Sequence, residues 1–230
     1  MKKTTMTIAG RQCFLYDCGS MDTLLIQPIG EHSLESLDQE VSLLEEMAGG
    51  RTFTMVMFLT DWNRDLPPWE AEAVFGNEDF GSGAQDTLDF ITKSLLPEIT
   101  AGADSRAQQV ILGGYSLAGL FALWAAYQTD AFAGAAAASP SVWYPGWMDF
   151  AEEREIKTPL VYLSLGKKEE KVRHPLMRTV GENIRRMQER LNGDPACREC
   201  TLGMNPGNHF VDAELRMAKG FAWIMERNSH

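Results

Sequence analysis

The chain is poor in positive charge, in cysteine and in histidine, and it has no long apolar run. Lysine and arginine number 21 against 32 aspartates and glutamates, a net charge of −11 over 230 residues. That deficit argues against nucleic acid or an anionic membrane surface as the main partner, because both are gripped through clustered basic side chains. No stretch approaches the ~18 consecutive apolar residues of a membrane span. Met1-Lys2-Lys3 could open a secretory leader, but the "TTMTIAGRQC" that follows is too polar for its apolar segment. The sequence therefore predicts a cytoplasmic protein.

Cysteine is limited to Cys13, Cys18, Cys197 and Cys200. "CREC" at 197–200 has the spacing of a zinc or redox pair. A structural zinc would need Cys13 and Cys18 as its other two ligands. No thioredoxin-like pattern surrounds "CREC". The expectation is four reduced thiols, no metal and no organic cofactor.

Internal repeats, low-complexity segments and linkers are also lacking, so residues 1–230 read as a single domain. With 44% hydrophobic and 23% charged residues, the chain can build a sizeable core. Strand-like runs fall at 24–29, 53–59, 109–113, 134–139, 160–165 and 201–204. Helical periodicity falls at 33–47, 84–99, 117–128, 174–191 and 211–225. Strands that alternate with helices imply crossover units and a mostly parallel sheet. Runs such as "MVMFL" and "GAAAAS" suit strands covered on both faces. In such sheets the reactive groups gather at the carboxyl ends of the strands.

At one such end stands "GGYSLAGLFALWAA", with Ser116 between a strand-like and a helix-like run. Gly114-Tyr115-Ser116-Leu117-Ala118 nearly fits G-x-S-x-G, a strained turn that lifts a serine hydroxyl clear of the sheet. Alanine at 118 departs from that pattern by one methyl. A simple helix cap would also explain a serine here. A nucleophile needs a base, and the base needs an orienting acid. His209, in "NPGNHFVDAEL", follows the last strand and opens a helix; His174 in "KVRHPLM" is the weaker candidate. Glu169 follows the strand 160–165, with Glu170 as the alternative; either could be a solvated member of the "KKEEK" charge run. Two N–H donors must face a developing oxyanion. Leu117 supplies one, and Asp61 or Trp62, with Trp62 preferred, supplies the other. Trp62, Trp69, Trp143, Tyr144 and Trp147 lie on strand-end loops and read as pocket walls rather than core.

From about residue 20 onward the chain resembles the esterase D-like branch of the α/β-hydrolases, which includes the enterochelin-type siderophore esterases. The likeness is carried by "GGYSLAGLFALWAA", "AAASPSVWYPGW", "LSLGKKEEK" and "GNHF", in that order. It implies an α/β-hydrolase fold with helices on both faces of a mostly parallel twisted sheet. It also implies Ser116 as nucleophile, Glu169 as acid and His209 as base. Relatives carry a glycine in the loop where this chain has Trp62. The short interval from Ser116 to Glu169 leaves no room for a large lid domain. The expected activity is hydrolysis of a soluble small-molecule ester, with an aryl, acyl-sugar or siderophore-like group. Acyl transfer to an alcohol, a non-catalytic binding role and peptidase activity are the alternatives.

Overall fold

A computed structural model describes residues 1–19, 22–74, 76–101 and 109–228. Its strands are β1 (Lys2–Ile8), β2 (Arg11–Asp17), β3 (Thr23–Ile29), β4 (Thr54–Leu59), β5 (Gln109–Tyr115), β6 (Gly134–Ala138), β7 (Leu160–Gly166) and β8 (Glu199–Asn205). They form one sheet in the order β1-β2-β4-β3-β5-β6-β7-β8. The pairs from β4 through to β8 are parallel. The first two strands are antiparallel, β1 to β2 and β2 to β4.

Eight helices complete the described chain: α1 (Leu37–Met47), α2 (Trp62–Asp65), α3 (Ala84–Phe90), α4 (Leu96–Thr100), α5 (Leu117–Gln128), α6 (Trp147–Glu152), α7 (Val180–Asn192) and α8 (Ala213–Asn228). Between β6 and β7 the chain holds only the short α6, so no lid domain is inserted there.

The period of two along each strand sorts side chains onto two cores. Ile26, Val56, Leu112, Ala137 and Leu163 pack with residues of α3, α5 and α7 on one face. Leu25, Met57, Ile111, Ala136 and Tyr162 pack with residues of α1 and α8 on the other. Gly113 lets α8 lie close to the sheet: a Cβ there would sit 2.3 Å from Cζ of Phe221. Helix α5 is buried at every position but its last, which is why its sequence is apolar all round rather than striped.

Two expectations need correction. The sequence reading found no strand before residue 24, yet β1 and β2 form a hairpin. Its two-residue turn, Ala9-Gly10, has φ of 44° and 82°. Positive φ at both central positions is the twist-matched turn for a hairpin, and Ala-Gly is a weak signal for it. The continuous helix expected over 84–99 is instead α3 and α4 joined by a π-helical turn, Ile91–Leu95. Pro97 sits in the first turn of α4. It has no N–H to donate, and its ring crowds the preceding turn, so a wider turn relieves both problems. The zinc site weighed as an alternative would need its two cysteine pairs to meet, and the topology holds them apart. Cys13 lies on β2 and Cys200 on β8, six strand positions apart, roughly 29 Å.

Candidate active site

Ser116 joins β5 to α5 with φ 57° and ψ −117°. A non-glycine residue there is strained by about 1–3 kcal/mol and needs its surroundings to hold it. The Ser116 N–H donates to the Ala138 carbonyl at 3.0 Å. Its carbonyl accepts from the N–H groups of Leu120 and Ser141, both at 3.0 Å. The turn also requires strand and helix to touch. A Cβ on Gly114 would lie 2.2 Å from the Ala118 carbonyl oxygen and 2.8 Å from the Ala118 methyl. Alanine at 118 is therefore accommodated because the residue facing it is glycine.

The Ser116 hydroxyl lies 2.9 Å from His209 Nε2, and His209 Nδ1 lies 2.7 Å from Glu169 Oε2. His209 comes from the loop between β8 and α8. Glu169 comes from a 3-10 turn, Glu169–Lys171, that follows β7. These partners fix the tautomer: Nδ1–H donates to the carboxylate, and Nε2 is left to accept from the serine. Glu169 Oε1 accepts from the Gly166 N–H at 2.6 Å, the Ser139 hydroxyl at 2.8 Å and Arg216 Nη1 at 2.8 Å. Burial pushes the Glu169 pKa up, but the bonds from His209, Gly166 and Ser139 outweigh it, and the net shift is downward. Glu169 therefore remains a carboxylate. Glu170 turns away and accepts from Arg185 at 2.8 Å. His174 is exposed, and its Nδ1 accepts from the Met177 N–H.

The sequence reading missed Arg216, which is fully buried. Its Nη1 also donates to the Tyr115 and Ser139 hydroxyls at 3.1 and 2.9 Å. Its Nη2 donates to the carbonyls of Pro206 and Asn208 at 3.0 and 2.8 Å. The Tyr115 hydroxyl in turn donates to the His209 carbonyl at 2.7 Å. Arg216 and Tyr115 thus tie the histidine loop to the acid and to the end of β5. The available signal was a charged residue beside Met217 on the inward face of an otherwise amphipathic helix.

A cavity of about 610 Å³ opens at Ser116 and His209. Trp62 and Trp143 are among its walls. Trp69, Tyr144 and Trp147 are not, which corrects the reading of all five as walls. Trp147 is fully buried and stacks on Phe150 at 5.5 Å. Trp69 donates from Nε1 to the Pro145 carbonyl, and the Tyr144 hydroxyl donates to the Trp69 carbonyl. These three rings knit the loops together beneath the surface. The exposed wall is instead Phe210, which the sequence reading overlooked; it is 87% exposed beside His209.

Leu117 and Trp62 are the first residues of α5 and α2. First-turn N–H groups have no acceptor within their own helix. The Asp61 N–H is already engaged by the Asp65 carboxylate at 3.1 Å.

A protein-family model described as "Putative esterase" matches residues 57–192. No curated protein sequence matches the chain. Among solved structures, the siderophore hydrolase EstA of Aspergillus nidulans is similar at a TM-score of 0.72 and 18% identity, over 98% of this chain and 94% of that one. An IroE-like serine hydrolase of Shewanella oneidensis has a TM-score of 0.78 and 15% identity, over 98% and 80%. The enterobactin esterase FES of Shigella flexneri has a TM-score of 0.72 and 16% identity, over 99% and 60%. At such identities the likeness is one of fold, and that fold is the α/β-hydrolase fold.

Proposed function

The chain belongs to the esterase family, and on that footing we propose that it hydrolyses soluble small-molecule carboxylic esters through Ser116, His209 and Glu169. The carrying observation is the unbroken line of contacts from the Ser116 hydroxyl through the His209 ring to the Glu169 carboxylate, 2.9 and 2.7 Å long. His209 Nε2 takes the serine proton as Ser116 Oγ attacks the ester carbonyl. Glu169 orients the ring and stabilises the imidazolium that forms. The oxyanion is received by the N–H groups of Leu117 and Trp62, the first residues of their helices. His209 then gives its proton to the departing alcohol. A water, activated by the same ring, releases the acid from Ser116.

The cavity walls support a choice of substrate class. Trp62, Trp143 and Phe210 line the cavity with aromatic surface, suited to an aryl or apolar acyl group. The names of two proteins of similar fold, a siderophore hydrolase and an enterobactin esterase, support including siderophore-like esters in that class. The short β6–β7 connection, which holds only α6, suits dissolved esters. The proposal is tested by assaying the purified protein on short aryl, acetyl-sugar and siderophore-type esters. Turnover of at least one class that disappears in Ser116→Ala supports it. Equal turnover by wild type and Ser116→Ala contradicts it.

A further inference from the structure

The cavity at Ser116 does not end with the residues that the ester chemistry needs. It runs along the α1–α8 face of the sheet to Gln27 on β3 and Glu40 on α1, with Glu214 of α8 on the same cavity wall. Gln27 and Glu40 are only 4% and 6% exposed. They touch each other once: Gln27 Nε2 donates to Glu40 Oε2 at 3.3 Å. Gln27 Oε1 and Glu40 Oε1 are both buried without a partner. A buried oxygen left without a donor is costly, and more so when the group is charged. The pair is therefore an expensive feature for a fold that could have used two apolar residues there.

The unmet demand has one sign. The amide of Gln27 has spent a donor on Glu40, so the unpartnered atoms are an amide oxygen and, once Glu40 is ionised, a carboxylate oxygen, both acceptors. Glu214 adds a second carboxylate. No lysine or arginine is among the described residues lining the cavity. The third carboxylate of the wall, Glu169, is already matched by Arg216 and His209, whereas Glu40 and Glu214 have no ion-pair partner among the described residues. Around them the wall is apolar, through Pro28, Ile29 and Met217.

We infer that Gln27 and Glu40, with Glu214 beside them, form a subsite for a protonated amine carried by the substrate. The inference rests on the reading of Ser116 as the acylated residue. A primary ammonium brings three donors and one positive charge, and two acceptor oxygens and a carboxylate are what it requires. Distance sets the length of the substrate. Ile26 pairs with Leu112, so Gln27 lies level with Gly113, three residues short of Ser116 and about 10 Å along the sheet. An amine about six bonds from the scissile carbonyl spans that interval.

Without a ligand, burial and the nearby Glu214 push the Glu40 pKa up to about 8, against the opposing bond from Gln27. Among the described residues of this wall His32 is also titratable; burial lowers its pKa, so it adds no compensating charge near neutrality. An ammonium in the subsite favours ionised Glu40. Its binding below pH 8 therefore expels a proton and tightens as pH rises from 6 to 8.

The test is a matched pair of esters of equal length, p-nitrophenyl 6-aminohexanoate and p-nitrophenyl heptanoate. Wild type should prefer the amino ester in kcat/KM by tenfold or more, through KM, with a preference that grows from pH 6 to 8. In Glu40→Gln the preference should fall to near parity and lose that pH dependence. Parity in the wild type, or an undiminished preference in Glu40→Gln, overturns the inference. If neither ester is turned over, the esterase reading has failed, and the subsite is read separately by calorimetry. Hexylammonium should then bind wild type at least tenfold more tightly than it binds Glu40→Gln, and more tightly than hexanol binds wild type. Equal binding in either comparison overturns the subsite.

Discussion

Arg216 and His209 grip opposite oxygens of one carboxylate: Arg216 Nη1 donates to Glu169 Oε1 at 2.8 Å, and His209 Nδ1 meets Glu169 Oε2 at 2.7 Å. The acid is therefore clamped from behind while it orients the ring in front. Removing the clamp leaves the buried Glu169 carboxylate without its cation and takes the Arg216 donors from the Pro206 and Asn208 carbonyls. Arg216→Met should cost about 3–5 kcal/mol of stability, the usual penalty for breaking a buried pair from one side. Chemical denaturation of the two proteins checks it, and a loss below 1 kcal/mol would show that the clamp is not needed.

The two adjacent glutamates should behave very differently. Glu169→Gln keeps the shape but can offer His209 an N–H where an acceptor is needed, which selects the wrong tautomer. A fall in kcat on the order of 10⁴-fold is expected, as in other serine triads. Glu170→Gln removes only a partly exposed ion pair with Arg185 and should stay within about twofold of wild type, since such pairs are worth little. Comparable losses in both variants would contradict the assignment.

Stability should respond to pH in opposite senses at the two buried acids. The Glu169 pKa is lowered in the folded chain. Its contribution is present above the ordinary carboxylate value of 4.5 and is lost as pH falls through the lower folded value. The Glu40 pKa is raised from 4.5 to about 8. Its contribution is full below 4.5 and is lost as pH rises toward 8. Glu40→Gln should therefore gain in melting temperature relative to wild type between pH 5 and pH 8. A constant difference across that range would contradict the raised value.

Phe210, 87% exposed at the mouth of the cavity, has little packing to lose. Phe210→Ala should leave the melting temperature unchanged and raise KM for aryl esters several-fold, with a smaller effect on small acetyl esters. Identical KM changes for both ester types would remove Phe210 from the substrate wall.

Much of the architecture was legible because its signals are local. The apolar strand runs and the small residues around Ser116 come from constraints that act within a few residues. The chain order Ser116, Glu169, His209 placed all three at carboxyl ends of strands, and there they meet. What was not legible depends on distant partners. Arg216 satisfies groups from β5, the turn after β6, the turn after β7 and the loop after β8, and no local pattern announces such a role. Whether an aromatic faces the cavity or the core turns on a few degrees of loop direction, so Trp143 lines the wall while Trp147 is fully buried. The β1 strand "KKTTMTI" is an edge strand with one well-buried residue, Ile8, and an edge needs little apolar patterning.

The central claim is that the Ser116 hydroxyl is the nucleophile, and covalent trapping tests it most directly. The purified protein is incubated with a fluorophosphonate and digested, and the modified peptide is identified by mass spectrometry. The account predicts one stoichiometric adduct on Ser116, absent from Ser116→Ala and greatly slowed in His209→Ala. An adduct on another residue, or a catalytically active protein with Ser116 unmodified, would contradict it.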